Sequence, residues 1–267
     1  MVPLWQGADD DRVTTGPLAL ARVIEPGRDR RVIPAPPGAG PTDGGVRHLE
    51  IVAAAHVAVR ACLTDSSPSR LLVLGSDCAI ETPAIAYLVE RYGELAVAWF
   101  DAHPDLNAPE SSPSGAAHGM ALRLLLGEGH PDLLPPPGGR IRPSAVVLAG
   151  ARAMDPAEAG LVVARGLARV TVEDMERDPA LVRRSLPAGL PVYVHLDVDV
   201  LDPRAFPAAA WPVASGLGLE TAERVLDDLF RHREVVGVGV MEFVPAIAHE
   251  ARTLRRLLAA LGLAARD

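Results

Sequence analysis

The chain contains no lysine: all 26 of its basic residues are arginine. That excludes a Schiff-base lysine, a pyridoxal-phosphate lysine and the lysine of a phosphate-binding P-loop. Cysteine is nearly as scarce. Two in 267 residues cannot make a disulfide framework, so a reducing cytoplasm is the expected location. No apolar run approaches the ~20 residues of a membrane helix. The opening Met1-Val-Pro-Leu-Trp-Gln-Gly lacks a charged stretch followed by an apolar one, so no signal peptide is expected. Net charge is −8 with no basic block, which argues against nucleic acid or an anionic membrane as partner. No Gly-x-Gly-x-x-Gly follows an apolar run and no Gly-x-Ser-x-Gly elbow occurs, so dinucleotide-binding and serine-hydrolase readings lose their usual support.

Apolar residues are plentiful, at 49%, enough for a substantial core. They gather in short runs, Arg70–Gly75, Leu95–Asp101, Ser144–Ala149, Ala168–Val172, Val192–Asp199 and Val235–Met241. These runs are nearly continuous rather than alternating, as expected for strands covered on both faces. Helix-like stretches lie between them: Leu49–Leu63, Thr82–Tyr92, His118–Leu126, Pro156–Arg165, Pro179–Leu186, Leu219–His232 and His249–Leu261. The alternation predicts an α/β fold, a parallel sheet with helices on both sides. Ile24–Gly45 and Gly127–Pro143 are rich in Pro and Gly and read as surface loops. No internal repeat is found. One domain over residues 1–267 is expected, with about the first 45 residues loosely attached.

Acids mark the ends of these runs. In Asp101-Ala-His103-Pro-Asp105 three metal-type ligands fall at i, i+2 and i+4, which on an extended chain share one face. They sit at the C-terminal end of a strand, where parallel sheets bind ligands. In His195-Leu-Asp197-Val-Asp199-Val-Leu-Asp202-Pro two more acids alternate. Four clustered carboxylates repel one another, and divalent cations relieve that repulsion. Oxygen ligands with one imidazole suit Mn²⁺ or a similar ion. Four carboxylates exceed the needs of one ion, so two ions sharing bridging Asp residues are inferred. Asp202 reads as a turn residue and His195 as a hydrogen-bonded core histidine. Cys78, just beyond a buried run in Gly75-Ser-Asp-Cys78-Ala, reads as a further metal ligand.

These motifs resemble the two main signatures of the ureohydrolases, the arginase/agmatinase superfamily, and the likeness runs from Gly16-Pro17 to Glu242. The resemblance implies a three-layer α/β/α sandwich and a binuclear manganese site. There a metal-bridging hydroxide attacks a guanidinium carbon and releases urea. It implies that Asp101 and Asp197 bridge the ions, that Asp105 completes the first site, and that His103 and Asp199 belong to the second. His118 matches the proton-shuttling histidine, and Glu242 the carboxylate that pairs with the guanidinium. Asn107, Ser112 and Ser114 match positions that bind the α-carboxylate and α-amino group of arginine, and Asp155 and Glu158 match acids that hold the amino group. Self-association as a trimer or hexamer is also implied.

The chain departs from the family in two places. Cys78 stands where a histidine ligand of the first metal is usual. A thiolate there adds negative charge and tilts selectivity from Mn²⁺ toward Zn²⁺ or Fe²⁺. Ala208-Ala-Ala-Trp211-Pro stands where Thr-Gly-Thr-Pro is usual, which points to a guanidinium pocket reshaped for a substituted guanidine such as N-hydroxyarginine. The expected activity is hydrolysis of a guanidino C–N bond of arginine or an N-substituted arginine. The alternatives are agmatine, guanidinobutyrate or formiminoglutamate as substrate, or a non-catalytic relative with a weakened metal site.

Overall fold

A computed structural model describes residues 1–24, 30–34 and 36–265. Among the described residues six strands form one wholly parallel sheet. They are β1 (Leu71–Leu74), β2 (Ala96–Phe100), β3 (Val146–Ala149), β4 (Ala168–Val170), β5 (Val192–Asp197) and β6 (Val235–Met241). Their order is β1-β6-β5-β2-β3-β4. Nearly every residue of β2, β3, β5 and β6 is buried, as their unbroken apolar runs require.

Each strand sends alternate side chains to opposite layers. Val97, Trp99 and Tyr193 face a layer that includes α2 (Leu49–Ser66), α3 (Glu81–Tyr92), α4 (Ala121–Leu125) and α5 (Pro156–Arg165). Ala98, Phe100, Val194 and Leu196 face the other. That layer holds α1 (Gly16–Val23), α6 (Val172–Arg177), α7 (Leu181–Ser185), α8 (Leu219–His232) and α9 (Ala251–Ala260). The result is the expected α/β/α sandwich.

Three expectations need correction. The N-terminal segment is not loose as far as residue 24: Val2 bridges to Gly75 beyond β1, and Leu4, Val13 and Leu20 are fully buried. Their apolar side chains are too widely spaced to show a strand or helix period. The run Val192–Asp199 leaves the strand after Asp197 and turns over Val198–Val200. The run Ala168–Val172 stops at Val170, because Thr171 caps α6, its hydroxyl accepting the amide of Asp174. Part of the predicted Ile24–Gly45 loop lies outside the described residues.

Candidate active site

β2 and β5 are direct neighbours at the centre of the sheet. From β2 the chain moves outward through β3 and β4, and then returns to β5 and β6 on the other side. The ends of β2 and β5 therefore flank the point where strand order reverses, the usual ligand crevice of a parallel sheet. The acids converge there, but not by the pleating expected of an extended chain. Asp101 Oδ1 accepts the amide of His103 at 2.7 Å, and Asp105 has a left-handed backbone, φ 51°. Asp197 Oδ1 likewise accepts the amide of Asp199 at 2.8 Å. Side-chain-to-backbone turns gather the ligands. Glu242, just past β6, is also left-handed at φ 63°. Such a conformation costs on the order of 1–3 kcal/mol and persists because the surroundings dictate it.

Cys78, Asp101, Asp105 and His195 each bring one ligand-type atom within 4.8 Å of the others. Asp101, His103 and Asp199 form a second such group, and Cys78, Asp197 and Glu242 a third. Nδ1 of His103 lies 2.9 Å from Asp199 and 3.5 Å from Asp101. Cys78 Sγ is 3.4 Å from Asp197 Oδ2 and 4.0 Å from His195 Nε2. All four aspartates are almost wholly buried. Among the described residues, the buried oxygens Asp105 Oδ2 and Glu242 Oε2 have no hydrogen-bond partner, a cost that native structures rarely leave unrelieved. Buried oxygens, imidazoles and a thiol in two groups sharing Asp101 are a donor set that fits two divalent cations.

The electrostatics report the same crowding. Burial, then the charge of Asp101, pushes Asp105 well above the carboxylate range. Burial, then Asp199, does the same to Asp197. Asp199 is raised to about 6, mainly by burial. Burial also acts on Asp101, but hydrogen bonds from His103 and His195 outweigh it and hold that carboxyl low. The histidines take up the balancing charge. Burial disfavours imidazolium at His103, but its bonds to Asp101 and Asp199 prevail and lift it to about 11. His118 rises to about 9 against the same burial, because its Nδ1 sits 3.0 Å from Glu242 Oε1. Burial and neighbouring acids push the Cys78 thiol up, so a thiolate there needs a cation beside it.

A cavity of about 660 Å³ opens above these groups. It is lined by Cys78, the four aspartates and His103 at its base, and by His118 and Trp211 on one side. Asn107, Ser112, Ser114, Asp155 and Glu158 also line it. Trp211 is 41% exposed, its ring 5.8 Å from that of His118, so it stands at the mouth of the cavity. Asn107 Nδ2 donates to Asp155 Oδ2 at 2.9 Å. Glu158 is committed to architecture: Oε1 accepts the amide of Leu106 and Oε2 that of Asp155, closing a capping box on α5. Asp202 takes the amides of Arg204 and Gly216, as a turn residue does. A separate cavity of about 410 Å³ against β1 holds none of these acids or histidines.

His195 is buried and hydrogen-bonded, and its Nε2 also faces the acid cluster at 3.4 Å from Asp101 Oδ2. Glu81, which no sequence signal singled out, bonds its Nδ1. The one available hint was the two-residue step from His195 to Asp197, which places both on one strand face.

The sequence pattern of the Arginase family matches residues 30–265. The arginase of Staphylococcus aureus strain MRSA252 is 33% identical over 201 residues, which are 72% of this chain and 66% of that protein. The chain thus spans slightly under two thirds of that relative's length. The solved structure of Bacillus caldovelox arginase, 28% identical, superposes with a TM-score of 0.83 over 98% of this chain and 95% of its own. That of Entamoeba histolytica arginase, 24% identical, has the same fold, with a TM-score of 0.87 over 97% and 95%. Pattern, relatives and fold agree: this chain belongs to the Arginase family.

Proposed function

We propose that this protein is a metal-dependent hydrolase that cleaves a guanidino C–N bond of arginine or an N-substituted arginine, releasing urea or a substituted urea and ornithine. The observation that carries the reading is four buried aspartates, converging on shared points with His103 and Cys78, beneath a cavity that also holds His118 and has Glu242 beside it. Asp101 and Asp197 would hold both ions, with Cys78 and Asp105 at the first and His103 and Asp199 at the second. When bound, two such ions supply a water of lowered pKa and a polarised substrate.

The chain's own residues do the rest. Glu242 keeps Oε2 buried and without a hydrogen-bond partner among the described residues, an acceptor for a guanidinium N–H and a strong one once charged pairing forms. Its Oε1 holds His118 Nδ1, which leaves Nε2 as the position that hands a proton to the departing nitrogen. At the far end Asn107, Ser112, Ser114 and Asp155 combine donors for a carboxylate with acceptors for an ammonium. That set favours an α-amino acid over agmatine, which has no carboxylate. Glu158 acts there by fixing Leu106 and Asp155 rather than by offering a free oxygen. Trp211 fills space beside His118 that a threonine would leave and offers no hydroxyl, and so reshapes that side of the pocket.

The test is product release across a guanidino panel (arginine, N-hydroxyarginine, agmatine, guanidinobutyrate, formiminoglutamate) by chelated protein resupplied with Mn²⁺, Zn²⁺ or Fe²⁺. Urea or hydroxyurea from the amino-acid substrates, at kcat/KM at least tenfold above agmatine, supports the reading. Faster turnover of agmatine, or no product from any pair of substrate and metal, overturns it.

A further inference from the structure

We propose that His195 is a ligand of the first metal position, held by Glu81 and Tyr193, so that this position is a mixed thiolate–imidazole–carboxylate site suited to a thiophilic divalent ion. The inference rests on the metal-dependent reading above and goes beyond it in naming a ligand and its supports. The family resemblance makes an imidazole usual on the loop after β1. That residue is Cys78, and the structure brings an imidazole to the same point from β5.

The geometry has four parts. First, Nε2 of His195 stands 4.0 Å from Cys78 Sγ and 3.4 Å from Asp101 Oδ2. Ligands about 2.0–2.3 Å from one tetrahedral ion lie about 3.3–3.8 Å from each other, so these atoms need little movement to share one. Second, Asp105 belongs to the same group. It is 4% exposed, and its Oδ2 has no hydrogen-bond partner among the described residues.

Third, the ring is oriented from behind. Nδ1 is bonded to Glu81 Oε2, and Glu81 Oε1 accepts the hydroxyl of Tyr193. A carboxylate on the far nitrogen fixes the tautomer that presents Nε2 to a metal and raises its basicity. Trp99 stacks on the ring at 3.6 Å between centroids and 13° between planes, which removes its remaining freedom. Fourth, the fold makes room for the arrangement at some cost. Glu81 opens α3 yet is wholly buried, and a buried carboxylate without a task is expensive. His195 pairs with Gly239 on β6, where any Cβ would overlap Glu81 Oε1. Gly237, two pairs earlier and opposite Tyr193, similarly clears the ring of Tyr193.

The rival account makes His195 a fixed internal cation that replaces the ion. The two separate by counting ligands. The probe is Co²⁺ added to chelated protein, followed by metal content per chain and by the sulfur-to-cobalt absorption of a thiolate ligand. The wild type is expected to take two ions, one giving that absorption. His195→Asn should weaken the thiolate-linked ion at least a hundredfold and leave the other in place. Glu81→Gln should weaken the same ion about 10–100-fold. Circular dichroism of the metal-free variants checks folding. Should either variant fail to fold, X-ray absorption of wild-type protein holding two Zn²⁺ decides. One imidazole per zinc on average means that both His103 and His195 ligate, and one per two zinc ions means that His195 does not. Unchanged cobalt affinity and absorption in His195→Asn, with two ions bound, overturns this inference alone. Failure of the wild type to bind any ion overturns the metal-dependent reading as well.

Discussion

In the proposed reading, a guanidinium entering the cavity would meet a carboxylate already engaged. Glu242 is 1% exposed and bonded to His118 on one oxygen, so it would hold substrate on the other. Glu242→Gln keeps the shape and removes the charge. Its expected effect is a loss in kcat/KM on the order of 10²-fold or more, since leaving a buried partner charge unpaired costs about 3–5 kcal/mol. His118→Asn should lower kcat by about 10²–10⁴-fold while changing KM far less. Steady-state kinetics on the best substrate of the panel check both. At this scale the sequence shows the aspartates clearly, because each interrupts an apolar run. It hides the pairing of His195 with Glu81, which lies 114 residues away. It also hides that Glu158 is spent on backbone amides, since a capping box and a binding acid look alike in a sequence.

Elements hold these residues through glycines and buried helix faces. Gly239→Ala drives a Cβ into Glu81, and overpacking of this kind costs roughly 1–3 kcal/mol. Gly160, inside α5, has open space around it, so Gly160→Ala should instead stabilise by up to about 1 kcal/mol. Urea unfolding of the two variants should move the midpoint in opposite directions. On α2, His56 is buried with Nε2 against the carbonyl of Ala79, and burial lowers it to about 4 from an ordinary 6.5. The unfolded chain therefore binds a proton that the folded one refuses. The stabilisation is complete above about pH 6.5 and is lost as pH falls toward 4, amounting to roughly 2 kcal/mol by pH 5. Between pH 7.5 and 5, wild type should lose about that much more stability than His56→Gln. The strands and long helices were legible because burial on both faces leaves a continuous apolar run. The eight-residue α1 and six-residue α6 were not: α1 lies in the segment expected to be loosely attached, and α6 begins within the run assigned to a strand through Val172.

For the whole molecule, the parallel α/β class follows from alternating runs, but strand order does not. Nothing in the sequence says that β5 inserts between β2 and β6, and that insertion is what makes two distant acid motifs one site. A molecule of net charge −8 with four buried aspartates gathered there should be markedly more stable with cations bound. Ion at a hundred times its Kd contributes about 2.7 kcal/mol per site. Chelation should accordingly lower the thermal midpoint by several degrees, and resupplied Zn²⁺ or Mn²⁺ should restore it in a concentration-dependent way. The most direct measurement is anomalous diffraction from crystals soaked in Mn²⁺ and, separately, in Zn²⁺. The account predicts two peaks about 3.5–4 Å apart between the tips of β2 and β5, touching Asp101 and Asp197. An empty density map at that point with saturating metal would contradict it.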